Sequence, residues 1–475
     1  MKKFTLIILI MYSWFNYGQS FTDVTGNLPQ LATGFSAWGD FDGDGDLDLY
    51  YSGYQDVSHP GMGGLYRNDS GTFNLVSNSA LPLYDYGEAD WGDFDGDGDL
   101  DIVIIGYDEN NVSSHAEIYL NNANGTFSPA NSGMLGVYLG DVHFVDINND
   151  NHLDVAVTGT ETSSWTDTTK IYMNDGNGNL TEISTSFPSL NFAKIKFGDY
   201  DNDGDMDMLI NGKNNTTNMP YVKVWNNDGN GNFTENNNIS LSQIWLGDID
   251  WVDVDGDNYL DIFISGTSNT DSEMHLYIND GFGNFNEDTS LLGLLPLHES
   301  NVSFDDFDND GDPDFFISGK NQGLSNGDYY AKLYLNVSGT FTEYTGFSFT
   351  GLINGDLDVA DYDNNNYPDI FISGNDINGS KVAKLYHNGP ASYVESNISD
   401  NFSLYPNPAN NVLYVNQQNA NDDFLVEIYD FSGKNYFRKQ IENMTAIDIS
   451  NFPAGLYLIR ISDNDEIYTK KLIIE

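Results

Sequence analysis

A nine-residue loop of the form Asp-x-Asp/Asn-x-Asp/Asn-Gly/Asn-x-x-Asp occurs seven times in this 475-residue chain, starting at Asp40, Asp93, Asp146, Asp199, Asp253, Asp306 and Asp361. Successive copies are 53, 53, 53, 54, 53 and 55 residues apart. So constant a period means one supersecondary unit repeated, with the loop as part of the unit.

The loop is built to surround a hard cation. In the first copy Asp40, Asp42, Asp44 and Asp48 hold positions one, three, five and nine. This alternation turns their carboxylates toward a common centre. Gly45 at position six permits the tight turn, and Asp46 at position seven can offer its carbonyl. The equivalent sets are Asp93, Asp95, Asp97, Asp99 and Asp101; Asp146, Asn148, Asp150, His152 and Asp154; Asp199, Asp201, Asp203, Asp205 and Asp207; Asp253, Asp255, Asp257, Tyr259 and Asp261; Asp306, Asp308, Asp310, Asp312 and Asp314; and Asp361, Asp363, Asn365, Tyr367 and Asp369.

Carboxylates this close repel by about 4 kcal/mol per pair at 4 Å with an effective dielectric near 20. Ca²⁺ answers that repulsion better than Mg²⁺, which demands a tighter octahedron, so up to seven Ca²⁺ are expected, one per repeat. Asn148 and Asn365 replace a carboxylate but keep an oxygen. Position seven varies freely, as expected if only its backbone is used, so the His152 ring is not expected to ligate. An EF-hand is excluded, because its twelfth residue is Glu and here position twelve is Tyr51 or Ile104, within β-type runs.

Each repeat reads as four short strands. An aromatic or Val stands two residues before the loop (Trp38, Trp91, Phe144, Phe197, Trp251, Phe304, Val359), and an apolar run closing in Gly follows it, as in Ile102 to Gly106. A third strand carries Leu65-Tyr66 and its equivalents, and a fourth is expected at Phe73, Phe127, Leu180, Phe233, Phe285, Phe341 and Tyr393. The fold class is therefore all-β: a seven-bladed β-propeller of four-stranded blades over residues 21–398, followed by a small C-terminal β-sandwich. Phe21 to Val24 and Tyr393 to Glu395 compete for the outer edge of the last blade, and the sequence does not choose between them.

Gly39 to Leu49, with its six relatives, resembles the FG-GAP or VCBS repeat of integrin alpha-subunit heads and many bacterial surface proteins. The resemblance implies calcium loops in the hairpins between first and second strands on one face, with ligands engaging the opposite face. Integrins bind metal in only some blades, whereas all seven loops here have competent donors.

Both ends speak of export. Met1-Lys2-Lys3 and the apolar stretch Phe4 to Phe15 read as a signal peptide over residues 1–18, and no transmembrane anchor is expected. The chain has no cysteine, which excludes disulfides and thiol chemistry. From Phe402 the repeat stops, and residues 402–475 read as alternating strands at Val412 to Val415, Phe424 to Tyr429, Leu456 to Ile461 and Leu472 to Ile474. Tyr405-Pro406-Asn407-Pro408, Ile428 to Lys434, Ile447 to Tyr457 and Lys470 to Ile473 resemble the type IX secretion C-terminal sorting domain of Bacteroidota. This implies the type IX secretion machinery as a partner, and a secreted or cell-surface location.

Between the N-terminal stretch and Phe402 lie 62 of the 72 acidic residues and only 10 of the 18 Lys and Arg. So acidic a surface disfavours nucleic acid and anionic membranes. No nucleophile elbow, His-Glu-x-x-His pair or cysteine nucleophile is present, and the seven histidines do not recur at matching positions, so no catalytic residue is assigned. The expected function is a monomeric, non-catalytic adhesion or glycan- or protein-binding module. Tyr84, Tyr86, Trp165, Tyr221 and Trp245 are the candidate ligand contacts. The alternative is a secreted carbohydrate-active enzyme, a polysaccharide lyase or hydrolase, on the same scaffold.

Extracellular modules hold Ca²⁺ with Kd near 10⁻⁴ to 10⁻³ M, so at about tenfold saturation each site contributes roughly 1.4 kcal/mol, or about 10 kcal/mol over seven independent sites. Chelation should therefore lower the melting temperature sharply. An unchanged melt in EGTA would count against cation-filled loops.

Overall fold

The computed structural model describes residues 19–56, 61–268, 271–321 and 328–390, and, in the C-terminal segment, 402–405, 408–417, 424–430, 434–441, 445–453, 455–463 and 466–474. The expected signal peptide, His59 and the Tyr393 to Glu395 strand lie outside the described residues. The regular structure among the described residues is all strand, in two compact units split at Pro390.

The first unit is a propeller of seven four-stranded antiparallel sheets taken in sequence order. In the first blade the inner strand spans Ala32–Gly39, the second Asp48–Tyr54, the third Met62–Asp69 and the outer Thr72–Leu75. The second strands are buried along almost their whole length because each is covered on both faces by a neighbouring blade, which is why they read as unbroken apolar runs. Their closing glycine has a steric reason. At Gly106, φ is +157° and a Cβ would sit 2.6 Å from the Cβ of Tyr84.

The seventh blade contains Leu357–Ala360, Asp369–Asn375 and Lys381–Pro390, and its outer edge is filled by the N-terminal strand Gln19–Asp23, with Phe21 opposite Asn388. The strand left open by the sequence is thus settled in favour of the N-terminal one. Phe21 is 4% exposed and packs edge-on against Phe349 at 5.0 Å and Tyr344 at 5.8 Å, as Phe73 and its equivalents serve the other blades.

Seven apolar clusters lie between adjacent blades, and one joins Leu31, Leu49 and Tyr51 of the first blade to Tyr362, Phe371 and Leu385 of the seventh. The circle is therefore closed, and no long sheet edge is left bare along it. The aromatic two residues before each loop acquires its role here. Trp38 stacks on Tyr362 of the preceding loop at 6.1 Å, and Phe144 on Phe94 at 5.7 Å. Tyr200 and Trp251 lie parallel to within 1° at 5.5 Å.

The second unit has a three-stranded sheet of Phe402–Tyr405, Val412–Gln417 and Thr445–Asp448, and a four-stranded sheet of Phe424–Asp430, Asn435–Ile441, Gly455–Asp463 and Glu466–Ile474. Leu413, Val415 and Ile447 from the first sheet share one core with Val426, Ile428, Ile459, Ile461, Leu472 and Ile474 from the second. All four strands expected from sequence are present, and three more complete the sandwich.

Truncating Phe21 opens a cavity in the blade that closes the ring. Phe21→Ala should destabilise the propeller by about 3–5 kcal/mol, read as a lowered denaturation midpoint at unchanged slope. A loss below about 1 kcal/mol would mean that the N-terminal strand does not seal the last blade.

Candidate functional site: acidic loops and the channel mouth

The loop conformation follows from its small residues. Position six is Gly45, Gly98, Asn151, Gly204, Asn258, Gly311 or Asn366, and all seven have φ between +66° and +97°. Position four is likewise Gly or Asn at positive φ throughout. Only glycine and asparagine enter this region readily, so the alternation of acids with Gly/Asn is a backbone requirement.

The turn gathers the carboxylates. Asp40 accepts the N–H groups of Asp44 and Gly45, each at 3.0 Å, and Asp199 does the same for Asp203 and Gly204. Ligand atoms of Asp40, Asp42 and Asp48 lie within 4.8 Å of one another, as do those of Asp93, Asp95 and Asp101, of Asp199, Asp201 and Asp203, and of Asp253, Asp255 and Asp261. At position seven, the Asp46 and Asp312 side chains turn away to accept the N–H groups of Ser70 and Ser338. His152 is exposed, and its backbone N–H donates to Asp150.

The ninth aspartate is the buried member. One oxygen accepts the backbone N–H of an asparagine on the third strand, at 2.6–2.9 Å in all seven blades. These asparagines, Asn68, Asn121, Asn174, Asn227, Asn279, Asn336 and Asn388, were not singled out from sequence. Each donates its side-chain amide at 2.7–3.1 Å to the carbonyl of the second loop residue in the preceding blade. The latch from Asn68 to Tyr362 completes the circle. The signal was available, since Asn recurs two residues after the third-strand Tyr or Trp in every repeat.

The arrangement fits a divalent cation. Burial, with neighbouring carboxylates adding to it, pushes the ninth acid up to about 7 at Asp48 and Asp207 and about 8 at Asp314. Asp101 and Asp154 rise to about 6. Asp93 Oδ1, Asp207 Oδ2, Asp308 Oδ1 and Asp363 Oδ1 are buried without a hydrogen-bond partner. Such oxygens are costly unless something positive meets them.

At the opposite end of the inner strands the ring opens into a cavity of about 230 Å³. Its lip is one repeated position, seven residues before each loop: Thr33, Tyr86, Leu139, Phe192, Leu246, Glu299 and Asn354, each with φ between +46° and +55°. In five blades a bulge there shifts the inner strand against its neighbour. A glycine follows in five blades, Ala193 and Ser300 in the others. Below the lip the channel carries Glu88, Asp141, Lys194, Asp248, Asn301 and Asp356, all five residues before their loops.

Several of these acids staple the ring. Asp141, Asp248 and Asp356 accept the N–H groups of Ile195, Val302 and Ser36 in the next blade at 3.0, 2.9 and 2.7 Å. Lys194 is 2.9 Å from Glu88, whose carboxyl burial still pushes up to about 7 against that lysine. Burial opposes charge on Asp141 too, yet Lys194 and His143 hold it far below the usual carboxylate range.

Of the five aromatic candidates, Tyr86 lies at the lip and is 41% exposed. Tyr84 is buried and stacks on His115 at 5.0 Å, and Tyr221 lies inside the strand Met219–Asn226 rather than in a connection, packed in the blade core. Tyr221 is thus corrected from a connection to a strand, where its ring is partly buried against the blade core, and Tyr84 is a buried ring. Trp165 is 72% exposed but does not line the cavity. Trp245 stands beside the lip, with Phe192 at 6.1 Å and the Lys213 ammonium 4.6 Å above its ring.

Known proteins bear on both units. Secretion system C-terminal sorting domain sequences match residues 403–475. FG-GAP-like repeat sequences match six overlapping spans, 40–104, 93–157, 146–210, 199–264, 253–317 and 306–372. No curated protein matches the chain. Similar solved structures include sucrose-6-phosphate hydrolase from Lactobacillus gasseri, at 12% identity and TM-score 0.27, covering 79% of this chain and 83% of that one. The V. cholerae biofilm matrix protein Bap1 matches at 13% identity and TM-score 0.26, covering 75% and 77%. Latent dimeric PorU from Porphyromonas gingivalis matches at 10% identity and TM-score 0.13, covering 82% and 34%. At these scores the structural likenesses carry no functional argument.

The ninth acids predict an unusual pH response. Their folded pKa values lie above the unfolded value of 3.8, so without metal the stability they contribute is full below about pH 4 and is lost as pH rises through 6 to 8. Metal-stripped protein should therefore melt higher at pH 5 than at pH 8. Added Ca²⁺ should reverse the slope, because it needs the ionised ligands. Thermal melts at the two pH values check this, and a metal-stripped protein that melts lower at pH 5 would contradict it.

Proposed function

Because the chain belongs to the FG-GAP-like repeat family and ends in a secretion system C-terminal sorting domain, we propose that it is a calcium-stabilised, non-catalytic module that binds a glycan or an extracellular protein at the channel mouth. The sorting domain indicates export to the cell surface or beyond, through the type IX machinery. On this reading the metal face supplies rigidity and the opposite face supplies recognition.

The observation that carries the reading is the lip itself. A non-glycine residue held at positive φ costs on the order of 1–3 kcal/mol, and such strain gathers at ligand sites. Here it recurs at one position in every blade. The lip is also divided: Tyr86, Leu139, Phe192 and Leu246 of consecutive blades form an apolar arc, and Glu299, Asn354 and Thr33 form a polar one. A sugar ring or an amphipathic side chain has this same division, one face for stacking and edges for hydrogen bonds. Phe192 and Tyr86 are 39% and 41% exposed and available for such contact.

Binding is favoured over catalysis because Asp141, Asp248 and Asp356 are already occupied by backbone N–H groups. In the loops, positions one, three, five and nine would hold Ca²⁺ with the carbonyl of position seven. The ion would supply fixed positive charge, so that the turns, the ninth aspartate and the asparagine latches keep one geometry.

Calcium-replete protein screened on glycan arrays and against extracellular protein extracts should yield a ligand. Tyr86→Ser with Phe192→Ser should weaken it about tenfold or more at unchanged melting temperature and calcium content. Binding that survives both substitutions would move the site elsewhere. Polysaccharide cleavage abolished by Glu88→Gln would replace this reading with the carbohydrate-active enzyme.

A further inference from the structure

The seventh loop differs from the other six in its donor set. At the third-strand position just before the latch asparagine, the first six blades carry Arg67, Leu120, Met173, Asn226, Ile278 and Leu335, and the seventh carries His387. Its Nδ1 stands 3.3 Å from Asp363 Oδ2 and 3.3 Å from Asp369 Oδ1. The three residues form a group whose ligand atoms lie within 4.8 Å of one another.

Asp369 Oδ1 also accepts the backbone N–H of Asn388 at 2.6 Å, which holds it in place beside the imidazole. His387 Nδ1, which faces both carboxylates, is buried and makes no aligned hydrogen bond, and Asp363 keeps its other oxygen, Oδ1, buried without one. The Asp369 side chain is wholly buried, and that of His387 is 30% exposed. Tyr362 meets the imidazole edge-on at 6.3 Å.

Calcium meanwhile loses a carboxylate here. Position five is Asp in the first six loops and Asn365 in the seventh. The Asn365 carbonyl oxygen accepts the N–H of Tyr367 at 2.7 Å, and its amide donates to the Asn388 carbonyl at 2.9 Å. The second oxygen that a carboxylate would offer is replaced by an N–H donor committed to the backbone. One carboxylate charge has gone and one imidazole nitrogen has arrived.

We infer that the seventh loop is a site for a borderline divalent metal of the Zn²⁺ class, bound by His387 Nδ1, Asp363 and Asp369. This rests on the reading of the loops as divalent-cation sites and departs from it in the metal. Spacing agrees with softness. A tetrahedral ion with ligands at about 2.0–2.1 Å sets neighbouring ligand atoms about 3.3 Å apart. Ca²⁺ seeks six to eight oxygens at longer range and gains little from imidazole, whereas zinc, nickel and copper favour it. The competing occupant is a proton on His387, which would make the imidazolium itself the counter-charge.

The test uses the full chain, stripped of metal, refilled with millimolar Ca²⁺ and titrated with Zn²⁺ by calorimetry and with Co²⁺ by visible absorption. One equivalent should bind in the presence of Ca²⁺, with Co²⁺ bands reporting a nitrogen ligand. His387→Gln should weaken that equivalent by at least about tenfold while leaving Ca²⁺-dependent melting intact, which shows that the variant folds. Wild type and His387→Gln titrating alike, or Ca²⁺ displacing the equivalent, would overturn the assignment. Failure of Ca²⁺ to raise the melting temperature would overturn the wider reading of the loops, while the Zn²⁺ end point decides the seventh independently.

Discussion

The ninth-position carboxylate is the interaction on which the propeller turns. It is the most buried charge of each loop, and one oxygen fixes the third strand through the asparagine N–H. The asparagine then reaches across to the preceding loop, so a single acid couples strand, turn and neighbouring blade. Leaving such a group ionised in a low-dielectric setting is expensive, and neighbouring carboxylates make it more so. A divalent ion would remove the conflict by turning the same charges into ligands. Filled in this way the loops would act as locking joints, and the aromatic stacking of Trp38 on Tyr362 and of Phe144 on Phe94 ties them to the blade cores.

Much of this was legible because a repeat states its constraints several times. The blade count, the loop register, the aromatic before each loop and the C-terminal sandwich all followed from period and alternation. The asparagine latch escaped because one polar residue on a strand carries no message until the neighbouring blade is in place. The channel residues escaped for a similar reason. Glu88, Asp141, Lys194 and Asp248 share a register but differ in charge, and only ring closure shows that they face one space. Tyr84 and Tyr221 pack against blade cores, a placement that escaped because aromatic identity alone does not separate a core ring from a lip ring.

The two faces of the ring solve opposite problems. At the metal face, Gly and Asn relieve the backbone so that acids can crowd. At the mouth, Tyr86, Phe192 and Leu246 accept a left-handed backbone without that relief. The difference is informative, since Gly at the lip would have been cheaper for a bulge alone. Side chains are kept there instead, apolar over consecutive blades and polar over the rest. Between the faces, carboxylates that cap the next blade's N–H groups hold the inner strands in register, and Lys194 offsets part of their charge.

The seventh blade bears the whole cost of closing the circle. It takes its outer strand from the far end of the chain, its Tyr362 receives both the Trp38 stack and the Asn68 latch, and its loop touches the first through Asn364 and Asp46 at 3.0 Å. A closing joint has no later blade to correct it, so a stiffer site there has more effect than anywhere else in the ring. Imidazole ligation is more directional than oxygen ligation and tolerates fewer geometries. Adding His387 to the donors of this one loop therefore places the most exacting coordination where the first and last repeats must meet.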